Sequence, residues 1–235
     1  TKEVLLQRLK DHIFAVAGRY KGKVYAWDVV NEVISDKPDE VYRPSLFYQI
    51  AGEEFIEKAF QFAHEADPKA LLFYNDYNEI SDIKRAKIIK MVKEMREKGV
   101  PIQGIGLQAH WAVNEPTKEK LEQTLADFST LNLPIHITEL DISVYPKEHN
   151  SRDRKAEDYD TQFTPEKKKK QEEVYQYIFE IFRKYKKNIT AITFWNISDR
   201  RSWLDNFPVR NRKDYPLLFD KDLKNKEAFW RVVKF

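Results

Sequence analysis

The chain has 235 residues, of which 42% are hydrophobic and 34% are charged, values typical of a globular domain with one sizeable core. No apolar run approaches the roughly 18 residues that a membrane span needs, so no membrane partner is expected. Because the sequence contains no cysteine, disulfides, cysteine nucleophiles and Cys-based metal sites are excluded. The formal net charge is only +3, and the lysine run at 167–170 is interpreted as a solvated helix face, which argues against nucleic-acid binding.

Stretches with helical spacing of apolar residues alternate with short apolar runs along the chain. In chain order, they predict a helix over 1–20, a strand over 23–33, a helix over 53–66, a strand over 70–75, a helix over 82–98, a strand over 104–109, a helix over 117–129, a strand over 133–141, a helix over 165–186, a strand over 189–196 and a helix from 226 to the end. Gly99 is placed to end the third helix, and Pro165 to open the fifth. The polar segment over 145–164 is unusually long for a loop, which is typical of functional or disordered segments.

Apolar strands between amphipathic helices predict the α/β class, with a parallel sheet covered by helices. Polar and aromatic residues follow the end of every predicted strand. In a (β/α)8 TIM barrel the active site lies at the carboxyl ends of all the strands, whereas a doubly wound sheet gathers ligands at a single switch point. The pattern therefore favours the barrel. A closed barrel needs eight strands and only five are predicted, so the chain is expected to be the C-terminal part of a longer protein, supplying about five of the eight βα units.

Two glutamates, Glu32 and Glu139, each end a predicted strand. In a barrel these strands would be three positions apart, and the two carboxylates would face each other across its mouth. Retaining glycosidases use such a pair about 5–5.5 Å apart, one carboxyl carrying a proton and the other attacking as the ionised nucleophile. Position alone leaves open a second interpretation, in which both glutamates form surface salt bridges.

Six segments, in order, resemble segments of glycoside hydrolase family 10, the endo-β-1,4-xylanases. They are WDVVNE at 27–32, RPSLFYQIAGEEFI at 43–56, LFYNDYN at 72–78, GIGLQAHW at 104–111, HITELDIS at 136–143 and FWNISDRRSWL at 194–204. The resemblance implies a TIM barrel in which residues 1–235 form a single catalytic domain. It also implies retaining hydrolysis of internal β-1,4 bonds of xylan or xylo-oligosaccharides through a covalent glycosyl-enzyme intermediate, without a metal or other cofactor.

The resemblance also implies a role for each residue of the catalytic group. Glu32 would be the acid/base and Glu139 the nucleophile. Asn31 would bind the sugar 2-hydroxyl at the cleavage point. His110 would orient the nucleophile, and Asp141 would hold its imidazole. The other interpretation of His110 is a hydrogen-bonded histidine without a catalytic part.

Further residues are implied to contact the sugars. Gln108 would contact the nucleophile or the adjacent sugar. Trp195 would form the floor under the sugar on the glycone side, and Trp203 would cover it. Tyr77 and Asn78 would meet the sugar on the leaving-group side. For Trp195, core packing is the alternative interpretation, since buried tryptophans are common at strand ends.

The sequence lacks the family's first three strands, which supply further glycone-side groups. A missing N-terminal barrel segment is therefore expected as a partner. The alternatives are a β-1,4-glucanase with a similar barrel, and a fragment or sugar-binding remnant that is active only when that segment is supplied. No signal peptide is recognised at the first residues, a pattern compatible with both a cytoplasmic protein and a processed, secreted one.

Overall fold

The computed structural model describes residues 1–147 and 154–233. The helices are α1 (Lys2–Arg19), α2 (Leu46–Ala51), α3 (Glu54–Ala66), α4 (Asp82–Glu97), α5 (Lys118–Ser129), α6 (Pro165–Lys184) and α7 (Glu227–Val233), with 3-10 helices at Ala156–Asp158 and Trp203–Asp205. The strands are β1 (Ala26–Asn31), β2 (Leu71–Asp76), β3 (Gly104–Leu107), β4 (His110–Ala112), β5 (Ile135–Ser143) and β6 (Ile189–Phe194). The predicted alternation of helices and strands is confirmed. Within these residues, no helix combines the length and apolar character needed to cross a membrane.

The structure differs from the predicted elements in two places. Helix α2 was not predicted; the Ser45 side chain caps its start by accepting a hydrogen bond from the Tyr48 N–H at 3.2 Å, and Gly52 ends it with a φ of 59°. The strand predicted over 104–109 ends earlier, as β3 at Leu107, and a short strand that was not predicted, β4, follows at His110–Ala112; Ala109 before it has a left-handed conformation with a φ of 60°. Of the long polar segment predicted over 145–164, residues 148–153 lie outside the described residues.

The chain divides into two compact units, and the first comprises Thr1–Gln108 and Ala126–His136. Here β1 pairs in parallel with β2, and β2 pairs in parallel with β3. Helices α1 and α3 pack against each other. The helix α3 buries one face of apolar side chains, as its spacing predicted. A Cβ at Gly106 of β3 would overlap the side chain of Asn75, so glycine leaves room for that side chain. Asn75 Nδ2 donates to Asn31 Oδ1 at the end of β1.

The second unit comprises Ala109–Leu125 and Ile137–Phe235. Here β4 pairs in parallel with β5, with His110 opposite Asp141, and β6 also pairs with β5. The helix α6 begins at Pro165, where the Thr164 side chain caps it by accepting from the Lys167 N–H at 3.3 Å. It packs against α7. The register of β4 and β5 places their polar side chains at the same edge, and this edge carries the candidate site residues of the unit.

Candidate functional site

In the first unit, two donors hold the carboxylate of Glu32. Gln108 Nε2 donates to Glu32 Oε1 at 2.9 Å, and an Arg43 guanidinium nitrogen donates to Glu32 Oε2 at 2.8 Å. The Glu32 backbone has a φ of 58°, and its N–H donates to the Asn75 carbonyl at 3.0 Å. A left-handed conformation is unfavourable for glutamate and persists only where the surroundings impose it. The end of β1 therefore presents Glu32 in a fixed orientation.

The neighbouring Asn31 is oriented by the same network. Its Oδ1 accepts hydrogen bonds from Asn75 Nδ2 at 3.0 Å and from Gln108 Nε2 at 3.2 Å. Because two donors fix the carbonyl oxygen, the amide nitrogen of Asn31 is left to donate to other acceptors. Gln108 is buried and joins Asn31 to Glu32. The resemblance implied that Gln108 contacts the nucleophile or a sugar; within this unit its contact is with the predicted acid/base.

Tyr77 and Asn78 meet on one carboxylate at the end of β2. The Tyr77 hydroxyl donates to Asp36 Oδ2 at 2.5 Å, and Asn78 Nδ2 donates to Asp36 Oδ1 at 3.1 Å. Burial and the bond to Asp36 raise the pKa of Tyr77 well above its ordinary value, so the phenol stays protonated. Lys84 Nζ lies 3.5 Å from the centroid of the Tyr77 ring, where the cation faces the π system. The two predicted leaving-group-side residues are thus held as a pair.

Lys84 also joins this pair to the buried end of β2. Its Nζ lies 3.0 Å from both Asp36 Oδ1 and Asp76 Oδ1, and the side chains of Lys84 and Asp76 are each 1% exposed. The Tyr74 hydroxyl donates to Asp76 and accepts from the Val33 N–H at 3.3 Å. Burial raises the pKa of Asp76, against the opposing charge of Lys84. One buried cation therefore fixes both the leaving-group-side pair and the segment that follows Glu32.

In the second unit, the imidazole of His110 lies between two carboxylates. Its Nε2 is 3.1 Å from Glu139 Oε2 and its Nδ1 is 3.1 Å from Asp141 Oδ2. Burial alone would lower the pKa of His110, but hydrogen bonds and charge from Asp141 and Glu139 outweigh it and raise the pKa to about 9. At neutral pH the ring is an imidazolium, hydrogen-bonded to Glu139 through Nε2 and ion-paired with Asp141 through Nδ1. It therefore orients Glu139 while Asp141, 1% exposed, orients the ring.

Aromatic rings surround this histidine. The Trp203 ring centroid is 4.8 Å from that of His110, and Trp203 Nε1 donates to Asp141 Oδ2 at 2.8 Å. The Trp195 ring lies 6.2 Å from His110, edge to face. Trp195 is 48% exposed and Trp203 is 36% exposed, so core packing does not account for either ring. Half-exposed flat faces beside carboxylates suit the apolar faces and polar rim of a sugar ring.

Several residues of these networks were not predicted from the sequence, among them Arg43, Asp36, Lys84 and Phe207. Arg43 lies in a segment quoted for the resemblance, but nothing local indicates that it reaches Glu32. In the sequence, Asp36 has the appearance of a surface residue in a loop, and Lys84 that of a surface residue in the first turn of a helix. Phe207 stacks on Trp203 at 5.1 Å and 20° between ring planes, although the two are separated by a turn. Within the described residues, no group of three or more His, Cys, Asp or Glu side chains is placed to hold a metal ion.

A family model described as Glycosyl hydrolase family 10 matches residues 1–235. An endo-1,4-beta-xylanase of Geobacillus stearothermophilus is 49% identical over 232 residues, which cover 99% of this chain and 68% of the relative. A beta-1,4-xylanase of Dictyoglomus thermophilum is 50% identical over 235 residues, which cover the whole chain and 65% of the relative. The chain thus spans about two thirds of the length of these relatives.

Solved structures show the same partial coverage. The xylanase XynB of Paenibacillus barcinonensis, solved with a conduramine derivative, is 45% identical with a TM-score of 0.93, over 99% of this chain and 69% of that one. A variant protein solved in complex with xylotriose is 42% identical with a TM-score of 0.92, over 100% of this chain and 70% of that one. The predicted fold, an α/β chain supplying part of a (β/α)8 barrel, is confirmed by these likenesses.

Proposed function

Because the chain belongs to glycosyl hydrolase family 10, we propose that it is the catalytic part of a retaining endo-1,4-β-xylanase acting on internal bonds of xylan. At the level of the family, the predicted enzyme class of glycoside hydrolase is confirmed. The observation that carries the mechanistic proposal is the position of His110, 3.1 Å from both the Glu139 and the Asp141 carboxylates. A cation beside a carboxylate holds it in one orientation, which suits a carboxylate nucleophile.

In the proposed reaction, Glu139 attacks the anomeric carbon while Glu32 gives its proton to the departing glycosidic oxygen. A covalent glycosyl–Glu139 ester forms and the leaving chain departs as an alcohol. Glu32 then takes a proton from water, whose oxygen displaces Glu139 and retains the configuration. His110 holds Glu139 Oε2 throughout, which spares the carboxylate a reorientation during attack.

The sugar-binding roles follow from the same proposal. The oriented amide of Asn31 donates to the sugar 2-hydroxyl, a contact that strengthens in the transition state. Trp195 and Trp203 offer half-exposed faces to the glycone-side sugar. Tyr77 and Asn78, held by Asp36, contact the leaving-group-side sugar. A similar protein solved with xylotriose supports xylo-oligosaccharides as the ligand class.

We also propose that the barrel is completed by an N-terminal segment, with residues 1–235 belonging to its single catalytic domain. In the first unit, only Val30 of the six residues of β1 is buried, whereas five of six are buried in β2. In the second unit, none of the six residues of β6 is fully buried. Strands of a closed barrel are covered on both edges and faces, so β1 and β6 each have room for further structure.

The proposal is tested by comparing wild type, Glu139→Ala and Glu32→Ala on xylan and on an aryl xyloside with a good leaving group. Glu139→Ala is expected to lower kcat by about 10⁵-fold or more on both substrates. Glu32→Ala is expected to lower it by about 10²–10⁴-fold on xylan and far less on the aryl xyloside, whose leaving group needs no proton. Glu97→Ala, at an exposed position of α4, is the control.

Three outcomes would contradict parts of this proposal. Normal turnover by Glu139→Ala would refute the nucleophile assignment. A higher rate of wild type on carboxymethyl-cellulose than on xylan would replace the xylanase with a β-1,4-glucanase. If the 235-residue chain is inactive, addition of the preceding barrel segment of a relative should restore turnover, and failure to do so would refute the assembly.

A further inference from the structure

The second unit contains a cavity of about 620 Å³ beside the 3-10 helix that carries Trp203. Charged, amide and aromatic side chains line it together. The lining residues include Arg154, Lys155, Glu157, Asn206, Phe207 and Arg210. This combination of groups differs from the apolar lining of a packing defect, because every charged member is at the protein surface and the cavity opens to solvent.

The cavity is continuous with the aromatic rings of the candidate site. Trp203 lies 4.8 Å from His110, and Phe207 stacks on Trp203 at 5.1 Å. Phe207 is 46% exposed and lines the cavity. A row of rings thus leads from the histidine that holds Glu139 to the cavity wall. A ligand whose main chain lies on Trp203 can reach the cavity through Phe207 without leaving an aromatic surface.

The charges of the cavity favour an anion. Arg154, Lys155 and Arg210 face a single lining carboxylate, Glu157. Two carboxylates close to the lining residues in the chain, Asp160 and Asp205, pair with Lys167 and Lys213 instead. The guanidinium group of arginine can donate two parallel hydrogen bonds to one carboxylate. It binds a ligand carboxylate best where no protein carboxylate competes for these donors.

Next along the chain after the lining residues Arg210 and Asn211 comes a buried arginine. Buried Arg212 lies between two rings, 4.2 Å from the Tyr145 centroid and 4.4 Å from that of Tyr159. Asn206 Oδ1 accepts from the Asn211 N–H at 3.4 Å, which orients the Asn206 amide. An aromatic face, an oriented amide and excess positive charge together fit a sugar that carries a carboxylate, since a simple inorganic anion makes no use of a flat ring.

We propose that this cavity binds a uronic-acid branch of the polysaccharide whose main chain occupies the active site. The inference rests on the proposed function. The carboxylate of the branch pairs with Arg210 and Lys155, and its ring packs on Phe207. The site would give the enzyme a preference for acidic over unsubstituted xylan, with no part in bond cleavage.

The test compares kcat/KM on a glucuronic-acid-substituted xylo-oligosaccharide with kcat/KM on the unsubstituted oligosaccharide of equal length. The double variant Lys155→Gln with Arg210→Gln is expected to lose about tenfold on the acidic substrate and to stay unchanged on the neutral one. The control is Lys169→Gln with Lys170→Gln, which removes the same charge from the exposed face of α6. Arg210→Lys should retain part of the preference, and high salt should weaken it.

Equal losses on both substrates, or no loss on the acidic one, would overturn the inference while leaving the xylanase proposal intact. If the protein hydrolyses neither substrate, the proposed function fails, and the cavity is then judged by calorimetric titration of the acidic oligosaccharide into wild type and the double variant. Equal Kd values there would overturn the inference. If inorganic phosphate binds as tightly as the acidic oligosaccharide, the cavity is a site for free anions, and the inference is overturned as well.

Discussion

His110→Asn is expected to remove a pH-dependent part of the free energy of unfolding. Although burial acts to lower it, the pKa of His110 rises from 6.5 to about 9 because the hydrogen bonds and charges of Asp141 and Glu139 dominate. The side chain is 12% exposed, so solvent screens this interaction little, and the rise corresponds to about 3 kcal/mol. Because the pKa is higher in the folded state, this stabilisation is complete below the unfolded value of 6.5 and is lost as pH rises through about 9.

The measurement is urea unfolding of wild type and His110→Asn at several pH values between about 6 and 10. The difference in free energy of unfolding between the two proteins should shrink by about 3 kcal/mol across this range. His64→Asn, at an exposed position near the end of α3, is the matched control for replacing a histidine by asparagine. A difference between wild type and His110→Asn that does not vary with pH would show that the ring is neutral in the folded protein, and would refute the imidazolium bridge.

Three further substitutions test the networks. Lys84→Met should lower the free energy of unfolding by about 3–5 kcal/mol, because it removes the cation beside the buried carboxylate of Asp76. The control Lys90→Met, on the same helix, should lower it by less than about 0.5 kcal/mol. Equal losses in the two variants would contradict the role of Lys84. Gly104→Ala should destabilise by about 1–3 kcal/mol in thermal unfolding, because its Cβ would overlap the Phe73 ring, while Gly18→Ala, with open space around it, should not. Asp141→Asn should lower kcat on xylan and the pH at which His110 titrates by nuclear magnetic resonance; an unchanged titration would show that Asp141 does not hold the ring.

The alternation of helices and strands was predictable because it depends on local spacing. Apolar residues at helical spacing mark α3 and α6, and short apolar runs mark β2 and β5. Helix α2 has capping residues at both ends, Ser45 and Gly52. It was not predicted because its six residues are too few to show a helical spacing of apolar side chains. The division of β3 from β4 depends on the backbone of Ala109, a residue whose type does not favour a positive φ.

Although the structure places Glu139 inside β5 and His110 at the start of β4 rather than at strand ends, the proximity of Glu32, Glu139 and His110 to predicted strands, and the motifs that surround them, were evident from the sequence. Their orientation was not. Arg43 reaches Glu32 from eleven residues away, and Lys84 joins Asp36 to Asp76 although two helices, α2 and α3, lie between these aspartates in the chain. Such contacts depend on where separate elements come to lie, which no window along the chain contains.

By itself, the sequence determined which residues could form helices and strands and which reactive groups would lie in or beside each strand. Only the tertiary structure decided which donor meets which acceptor: His110 with Glu139 and Asp141 in one unit, and Gln108 and Arg43 with Glu32 in the other. The physical reason is one of range. Propensity and spacing act over a few residues, whereas hydrogen bonds and charge interactions act over a few ångströms and depend on distances that the folded chain alone sets.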